Sequence, residues 1–133
     1  MTAFALDTRP DGIAVLTFDL PGEKVNKLTT PVMDELDLFL DRLASDGHIK
    51  ALVIASGKKD IFVAGADIAE IRDIMDEAKG EALSRKGQSL MRKLASLPFP
   101  TVAAIHGSCM GGGLELALAC SHRVASDHAK TIL

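Results

Sequence analysis

The sequence predicts an α/β fold, because short apolar runs rich in β-branched residues alternate with longer stretches that repeat apolar residues at helical spacing. Three of the short runs are typical of buried strands, at residues 12–19, 50–56 and 101–105. The chain has 133 residues, of which 47% are hydrophobic and 25% are charged. This length and composition fit one modest folded domain rather than a disordered chain.

Turn and capping signals define the first elements. Residues 12–19 are expected to form a hairpin with residues 4–8 across an Arg-Pro-Asp-Gly turn, and residues 23–28, EKVNKL, are predicted as a polar loop. Thr30 is predicted to cap an amphipathic helix of about four turns, with Pro31 at its first position. The apolar face of that helix comprises Met33, Leu36, Phe39, Leu40 and Leu43.

Two helices are predicted in the middle of the chain. Residues 57–67, GKKDIFVAGAD, are predicted as a loop, and Asp67 at its end caps a short helix. The apolar positions of the short helix are Ile68, Ile71 and Met75. A longer helix is expected at residues 81–97 and is ended by Pro98 and Pro100. Its inward positions are Leu83, Leu90, Met91, Leu94 and Leu97.

After the strand at 101–105, the pattern predicts a glycine-rich loop and a helix that begins near Gly112. A short strand is expected at 123–126. Residues 127–133 are predicted to turn into a further strand, and a chain that ends within such a pattern suggests a truncated sequence.

Composition excludes several classes of protein. The net charge is −3 without a basic patch, which argues against nucleic acid as a partner. No apolar run reaches the roughly 20 residues that a membrane-spanning helix needs, and the N-terminus lacks the pattern of a signal peptide or presequence. Two cysteines do not form a disulfide framework. A cytoplasmic protein with no integral membrane segment is the expectation.

The stretch at residues 107–120, GSCMGGGLELALAC, is unusual because Glu115 is the only carboxylate between residues 101 and 120. A helix beginning near Gly112 would leave that carboxylate mostly among apolar neighbours. Burial of an unpaired carboxylate is costly, so such a group normally has a partner or a chemical role. The alternative is a surface glutamate that interacts favourably with the positive end of the helix dipole.

The three consecutive glycines, Gly111, Gly112 and Gly113, are unfavourable inside a helix but allow close approach to backbone N–H groups at its start. Those groups could bind a phosphate or stabilise an oxyanion. A phosphate-binding loop is excluded because no Gly-Lys-Ser/Thr follows, and Ser108 is not in the G-x-S-x-G setting of a nucleophile elbow. A simple tight turn remains the alternative.

A second loop, FVAGADI at residues 62–68, also follows a buried strand and opens a helix. Loops at the carboxyl ends of parallel strands lie at one edge of a sheet, where α/β proteins bind ligands. The two loops could therefore each offer one backbone N–H to the same oxygen atom. Two independent turns are equally compatible with the spacing.

No metal site is predicted. The spacing of His106, Cys109, Cys120 and His122 does not match the paired spacings of zinc sites. Cys120 is expected within a core helix. The simplest interpretation of the methionines in the helices is that they belong to the core.

The ordered pair FVAGADI and AAIHGSCMGGGLELALAC, at residues 62–68 and 103–120, resembles the crotonase (enoyl-CoA hydratase/isomerase) superfamily. EKVNKL at residues 23–28 and KTIL at residues 130–133 are similar to the N-terminal hydratase part of multifunctional fatty-acid oxidation α-subunits. The resemblance implies a crotonase-like superhelix of ββα turns. Residues 1–133 would form the N-terminal part of that domain, truncated at the C-terminus.

The resemblance further implies an enoyl-CoA hydratase, which adds water to a trans-2-enoyl-CoA in fatty-acid β-oxidation and gives 3-hydroxyacyl-CoA. The backbone N–H groups of Ala66 and Gly112 would form the oxyanion hole, and Glu115 would be the general base. The residues implied to bind the acyl-CoA substrate are Val25, Ala64, Ala66, Asp67, Ile68, Gly111 and Gly112.

The family's second catalytic glutamate would lie beyond Leu133, so the isolated chain is expected to be inactive. No cofactor is expected in this segment, and NAD only for a 3-hydroxyacyl-CoA dehydrogenase part further on. A homo-oligomer or a complex with a thiolase subunit is implied for the full-length protein. Two alternatives stay open: an enoyl-CoA isomerase of the same fold, and a non-catalytic fragment that binds acyl-CoA.

Overall fold

The computed structural model describes residues 2–74 and 76–133. Its strands are β1 (Phe4–Thr8), β2 (Ile13–Phe18), β3 (Lys27–Leu28), β4 (Ala51–Ser56), β5 (Ile61–Val63), β6 (Gly65–Ala66), β7 (Thr101–Ile105), β8 (Ser108–Cys109) and β9 (His122–Ala125). Its helices are α1 (Thr30–Ser45), α2 (Ile68–Arg72), α3 (Glu77–Ala95) and α4 (Gly112–Ala119). The alternation predicted from the sequence is confirmed.

A five-stranded sheet in the order β1-β2-β4-β7-β9 forms the centre of the molecule. β1 and β2 form the predicted antiparallel hairpin, with Phe4 opposite Phe18, and all other neighbours are parallel. The parallel strands are joined through helices, which is the usual connection between parallel neighbours. Their carboxyl ends therefore lie at one edge of the sheet.

Two small parallel pairs lie beside this sheet, β3 with β6 and β5 with β8. The prediction of plain loops at residues 23–28 and 57–67 is therefore wrong in part, because each range contains a short strand. Strands of two or three residues show no alternating pattern of their own. They form because distant backbone groups come close enough to pair.

α1 is capped by Thr29 and not by Thr30, which corrects the prediction by one residue. The Thr29 hydroxyl accepts a hydrogen bond from the N–H of Val32 at 3.3 Å. Thr30 instead donates its N–H, at 3.2 Å, and its hydroxyl to the carboxylate of Glu70 in α2. Of the predicted inward face, Phe39 is half-buried. The other four positions, Met33, Leu36, Leu40 and Leu43, are buried.

α3 begins at Glu77, earlier than predicted, because the Asp76 carboxylate caps it by accepting the Lys79 N–H at 2.7 Å. It ends at Ala95, ahead of Pro98. Leu90 and Leu94 are buried, and Leu83, Met91 and Leu97 pack partly buried against the core.

Asp67 caps α2 as predicted, since its carboxylate accepts the N–H of Ala69 at 3.0 Å. α2 ends at Arg72. Met75, which was predicted to lie on this helix and in the core, is outside the described residues. Ile68 and Ile71 are 72% and 50% exposed, so the apolar positions of this helix that the structure describes do not join the core. A five-residue helix is too short to bury a continuous stripe against the core.

One hydrophobic core joins the central sheet to α1, α3 and α4. Its largest fully buried side chains include Leu16, Phe18, Leu36, Leu40, Leu52, Ile54, Phe62, Leu94 and Leu116. Phe4 and Phe18 stack across the hairpin with ring centroids 4.6 Å apart. No helix in the described part of the chain is long and apolar enough to cross a membrane.

The segment after β9 makes the predicted turn, but the expected strand reduces to a single parallel bridge between Ser108 and Ile132. Hydrogen bonds donated by backbone N–H groups attach this segment to the start of the glycine-rich loop. The N–H of Cys109 donates to the Ile132 carbonyl at 2.8 Å, and the N–H of Gly107 donates to the Thr131 hydroxyl at 2.9 Å.

Candidate functional site

The two loops that the sequence singled out lie side by side. A Cβ atom placed on Gly112, at the start of α4, would lie 3.5 Å from the nitrogen of Ala66 in β6. A Cβ atom on Gly65 would lie 3.0 Å from the nitrogen of Gly112. The two backbones are therefore so close that a methyl group added at either glycine would contact the other loop, and the two loops do not form independent turns.

The N–H of Gly112 is available to a ligand. In the described part of the chain, no protein oxygen accepts a hydrogen bond from it, whereas the following N–H of Gly113 donates to the Met110 carbonyl at 2.9 Å. The first N–H groups of a helix have no partner within the helix and point beyond its end. α4 has no side-chain cap that would take their place.

Each of the three consecutive glycines meets a different requirement. Gly111 has a φ of +55°, in the left-handed region that favours glycine, with open space around it. Gly112 leaves room between the two loops. Gly113 allows α4 to pack onto β5, because a Cβ atom there would lie 2.2 Å from the Val63 carbonyl oxygen. The sequence predicted close approach here but did not separate these roles.

Glu115 is exposed, and the expectation of mostly apolar surroundings is wrong. The buried face of α4 runs through Gly113, Leu116 and Ala117, and successive residues of a helix are turned by about 100°. Glu115 therefore projects from a different side, one turn beyond Gly112. This exposure fits the alternative of a surface glutamate at a helix N-terminus.

Glu115, Gly112 and Ala66 line one cleft of about 950 Å³, together with Asp67 and Glu70 of the α2 region. Leu28 and Met33 form its inner apolar wall, and α3 forms the facing wall. The lining includes six carboxylates, at Asp67, Glu70, Asp76, Glu77, Glu81 and Glu115. Among the described residues it includes no lysine, arginine or histidine, so this cleft is acidic and partly apolar.

The other residues that the resemblance assigned to substrate binding lie outside this cleft. Val25 is half-buried, and Ala64 and Ile68 are exposed. Gly111 precedes α4 without lining the cleft. The N–H of Ala64 donates to the Asn26 carbonyl at 2.8 Å. Ala64 and Ile68 flank Ala66 on the same loop, and the Asn26 hydrogen bond brings the chain next to Val25 against it.

Sequence reasoning missed most of the residues that line the cleft, among them Leu28, Met33 and Glu70. Met33 was assigned only to the core. Glu70 lies three residues after Asp67, the Asp-x-x-Glu spacing of a capping box, so a signal was present. Its carboxylate instead accepts hydrogen bonds from Thr30, which joins the starts of α1 and α2.

A cluster that the sequence did not predict lies away from the cleft. Candidate ligand atoms of Asp60, His106 and His128 are within 4.8 Å of one another. The Asp60 carboxylate lies 3.2 Å from the ammonium of Lys130 and 3.4 Å from Nε2 of His106. The hydrogen bond from Lys130 holds the pKa of Asp60 below its usual value. Because an ammonium group already pairs with the carboxylate, the cluster is explained as an ionic attachment of the segment after β9.

Cys109 and Cys120 are both free and buried. Cys120 lies one residue after α4 and ends it, with its N–H donating to the Ala117 carbonyl, so its predicted position inside a helix is wrong by one residue. Burial raises the pKa of the Cys120 thiol to about 11 and raises that of Cys109 as well. Neither thiol has the low pKa of a reactive cysteine.

A family model described as Enoyl-CoA hydratase/isomerase matches residues 8–133. The fatty acid oxidation complex subunit alpha of Shewanella sp. (strain W3-18-1) is 51% identical over 130 residues, which are 98% of this chain and 18% of that protein. The protein of the same name from Shewanella baltica (strain OS185) is 50% identical with the same coverage. This chain therefore spans less than a fifth of the length of these relatives.

Solved structures show the same fold. The enoyl-CoA hydratase of Mycobacterium smegmatis superposes with a TM-score of 0.87 at 28% identity, covering 94% of this chain and 48% of that chain. The enoyl-CoA hydratase of Bacillus anthracis superposes with a TM-score of 0.85 at 27% identity, covering 93% and 47%. The match to the family model and the shared fold confirm the resemblance first noted in the two loops: the chain belongs to the enoyl-CoA hydratase/isomerase family and has the crotonase fold.

Proposed function

We propose that this chain supplies the oxyanion hole and the first catalytic carboxylate of an enoyl-CoA hydratase that acts in fatty-acid β-oxidation. The observation that carries the proposal is the close approach of the Ala66 and Gly112 backbones, with Glu115 one helical turn away in the same cleft. Family membership supports it, as do the curated relatives, which are named as fatty acid oxidation subunits.

In the proposed reaction, the N–H groups of Ala66 and Gly112 donate hydrogen bonds to the thioester carbonyl oxygen of a trans-2-enoyl-CoA. Polarisation of that carbonyl makes the β-carbon electrophilic. Glu115 removes a proton from a water molecule, the water oxygen bonds to the β-carbon, and negative charge moves to the carbonyl oxygen. The proton taken by Glu115 is returned to the α-carbon, with the family's second glutamate assisting, and the electron pair moves back from the carbonyl oxygen, which gives the 3-hydroxyacyl-CoA. Loss of one oxyanion donor typically costs about 3 kcal/mol of transition-state stabilisation.

The charge of the cleft suggests how the substrate is oriented. Six carboxylates would repel the phosphates of CoA, and no cationic side chain among the described lining residues offsets them. The apolar wall of Leu28 and Met33 suits the acyl chain. We therefore place the CoA phosphates and pantetheine outside the cleft, along Val25, Ala64 and Ile68, and the acyl end within it.

The wider setting follows from the fatty acid oxidation subunits, of which this chain spans 18%. We propose that residues 1–133 form the N-terminal part of a hydratase domain in a multifunctional cytoplasmic enzyme. A 3-hydroxyacyl-CoA dehydrogenase part would use NAD, and the hydratase segment would need no cofactor. Assembly as a homo-oligomer or with a thiolase subunit belongs to the same proposal. The isolated segment would be inactive without the family's second carboxylate.

The test is Glu115→Gln in the full-length protein. We expect crotonyl-CoA hydration, followed by loss of the enoyl thioester absorbance, to fall at least about 100-fold, the lower range for loss of a general base. Binding of CoA, measured by calorimetry, should remain. Glu23→Gln makes the same change at an exposed glutamate outside the cleft and should leave the rate unchanged.

Two results would contradict the proposal. Hydration that survives in Glu115→Gln would remove Glu115 from the role of base. A wild-type protein that shifts the double bond of a 3-enoyl-CoA but does not hydrate crotonyl-CoA would be an isomerase of the same family.

A further inference from the structure

A buried amide supports the loop that carries Ala66. Asn26 is 0% exposed and directly precedes β3. Its side-chain oxygen accepts the N–H of Leu20 at 3.0 Å. Its amide nitrogen lies within hydrogen-bond distance of the Phe18 carbonyl at 2.8 Å, the Phe62 carbonyl at 3.0 Å and the Ser56 hydroxyl at 3.0 Å. One amide therefore joins the ends of β2 and β4 to β5.

The main chain of the same residue continues the attachment. The Asn26 carbonyl accepts the N–H of Ala64 at 2.8 Å, and the next two residues pair with Gly65 and Ala66. The side chain thus holds the strand before the candidate oxyanion donor, and the backbone holds the donor's own segment. A buried amide with this many partners fixes its neighbours, because leaving any of them unpaired costs about 1–3 kcal/mol.

Ser56 extends this network. Its hydroxyl donates to the Ile61 carbonyl at 2.6 Å and accepts the N–H of Lys58 at 3.0 Å. Ser56 and Asn26 therefore donate hydrogen bonds to successive carbonyls of β5, those of Ile61 and Phe62 respectively. At the Ile61 and Phe62 carbonyls, β5 is held by the side chains of Ser56 and Asn26.

β5 also supports the second candidate donor. α4 packs onto it at Gly113, where a Cβ atom would touch the Val63 carbonyl at 2.2 Å, and β8 pairs with it through Cys109 opposite Val63. β5 is therefore connected to both candidate donors: the chain runs from β5 directly to Ala66, and α4, which begins at Gly112, packs against β5. A shift of β5 changes the distance between the two N–H groups.

We infer that Asn26 is a positioning residue for the oxyanion hole, acting through β5 with Ser56 as its partner. The inference rests on the proposed hydratase function. Asn26 touches neither the cleft nor any reacting atom, so its effect is on the placement of the Ala66 and Gly112 N–H groups. Displacements on the order of 1 Å in such a site cost about 100-fold in rate.

Two variants of the full-length protein test it. Asn26→Asp keeps the shape and the acceptor but places an oxygen against the Phe18 and Phe62 carbonyls. Ser56→Ala removes only the hydroxyl and is the milder variant, which tests the inference if Asn26→Asp does not fold. Ser45→Ala is the matched control, since among the described residues that hydroxyl bonds only to carbonyls near the end of α1.

Three measurements are made on the folded protein: steady-state kinetics with crotonyl-CoA, the red shift of bound dimethylaminocinnamoyl-CoA, and hydrogen exchange in peptides spanning residues 61–66 and 110–115. We expect kcat to fall about 10-fold in Ser56→Ala and about 100-fold in Asn26→Asp, with KM within about twofold. The red shift, which reports polarisation of the thioester carbonyl, should shrink. Exchange at 61–66 should accelerate, and Ser45→Ala should match the wild type.

A merely structural role would lower the melting temperature while kcat and the red shift of the folded protein stayed at wild-type values, and that result would overturn the inference. Unchanged exchange at 61–66 and 110–115 in both variants would overturn it independently of any activity. If the wild type fails to hydrate crotonyl-CoA but the exchange changes appear, the proposed hydratase function falls and the positioning of the two loops by Asn26 stands.

Discussion

The absence of a side chain at Gly112 leaves open the space between the two candidate oxyanion donors. A methyl group there would lie 3.2 Å from Cδ1 of Leu28 and 3.5 Å from the nitrogen of Ala66. The leucine can shift by a few tenths of an ångström, so the fold should tolerate it. The methyl would, however, occupy the space between the two candidate oxyanion donors.

We therefore expect Gly112→Ala in the full-length protein to melt within a few degrees of the wild type while crotonyl-CoA hydration falls on the order of 100-fold. Calorimetric melting and the hydration rate check this together. Full activity in a folded Gly112→Ala protein would show that the thioester carbonyl does not lie against this backbone.

Cys120 gives a pH dependence whose sign follows from its burial. Its pKa rises to about 11 in the folded protein from an ordinary value of 9.0. The folded state therefore keeps the proton to higher pH than the unfolded state. Stability from this group is fully present below about pH 9 and is lost as the pH rises towards about 11.

We expect the isolated chain to lose stability to urea between pH 9 and pH 11 and Cys120→Ala to lose less over the same range. Burial raises the pKa of the Cys109 thiol too. Because Cys109 is present in both proteins, its share of the pH dependence remains in Cys120→Ala. Equal pH dependence of the wild type and Cys120→Ala would assign the loss to other groups.

At the scale of elements, the packing of α4 on β5 brings the two loops together. The contact is made by backbone, since Gly113 lies against the Val63 carbonyl with no room for a Cβ atom. Helix and strand must separate if a side chain is added there. At Gly112, by contrast, an added Cβ atom would lie nearest the Leu28 side chain, which can move.

Gly113→Ala should consequently destabilise the isolated chain by about 1–3 kcal/mol or more, the range for overpacking of a well-packed interior. Gly87→Ala, in α3 with nothing within 4 Å of its Cβ position, is the matched control and should be neutral or slightly stabilising. Urea unfolding followed by circular dichroism measures both. A Gly113→Ala protein as stable as the wild type would mean that α4 does not pack this closely.

The elements also differ in how far the sequence could predict them. α1 and the strand Thr101–Ile105 were predicted closely because periodicity and capping signals lie within the segments themselves. The short strands β3, β5, β6 and β8 were not predicted, since their pairing partners are distant in sequence. The start of α1 was displaced by one residue because Glu70, far along the chain, takes the hydroxyl of Thr30.

At the scale of the whole molecule, the central sheet has an open edge at β9. β9 is the last strand of the central sheet, and all four of its residues are exposed, with Val124 at 63%. Leu118 on α4 is 60% exposed. An edge strand with unpaired backbone groups and exposed apolar side chains is prone to pair with another chain.

We expect the isolated 133-residue chain to self-associate with rising concentration, measured by light scattering after size exclusion. Val124→Lys should reduce the association, because a charged edge residue opposes strand pairing. Leu38→Lys changes a leucine on α1 that is 67% exposed, and this control should leave the self-association unaltered. A wild-type chain that stays monomeric at all concentrations would contradict the prediction.

The sequence by itself determined the class of fold, the order of the main elements, the family resemblance and the candidate site residues Ala66, Gly112 and Glu115. These depend on local patterns: periodicity, caps, glycines at a helix start and two ordered motifs. Only the tertiary structure decided that Ala66 lies against Gly112, that Glu115 is exposed, and that Asn26 is buried with partners on three strands. Those facts depend on which distant backbone groups pack and pair, and no residue pattern within one segment contains that information.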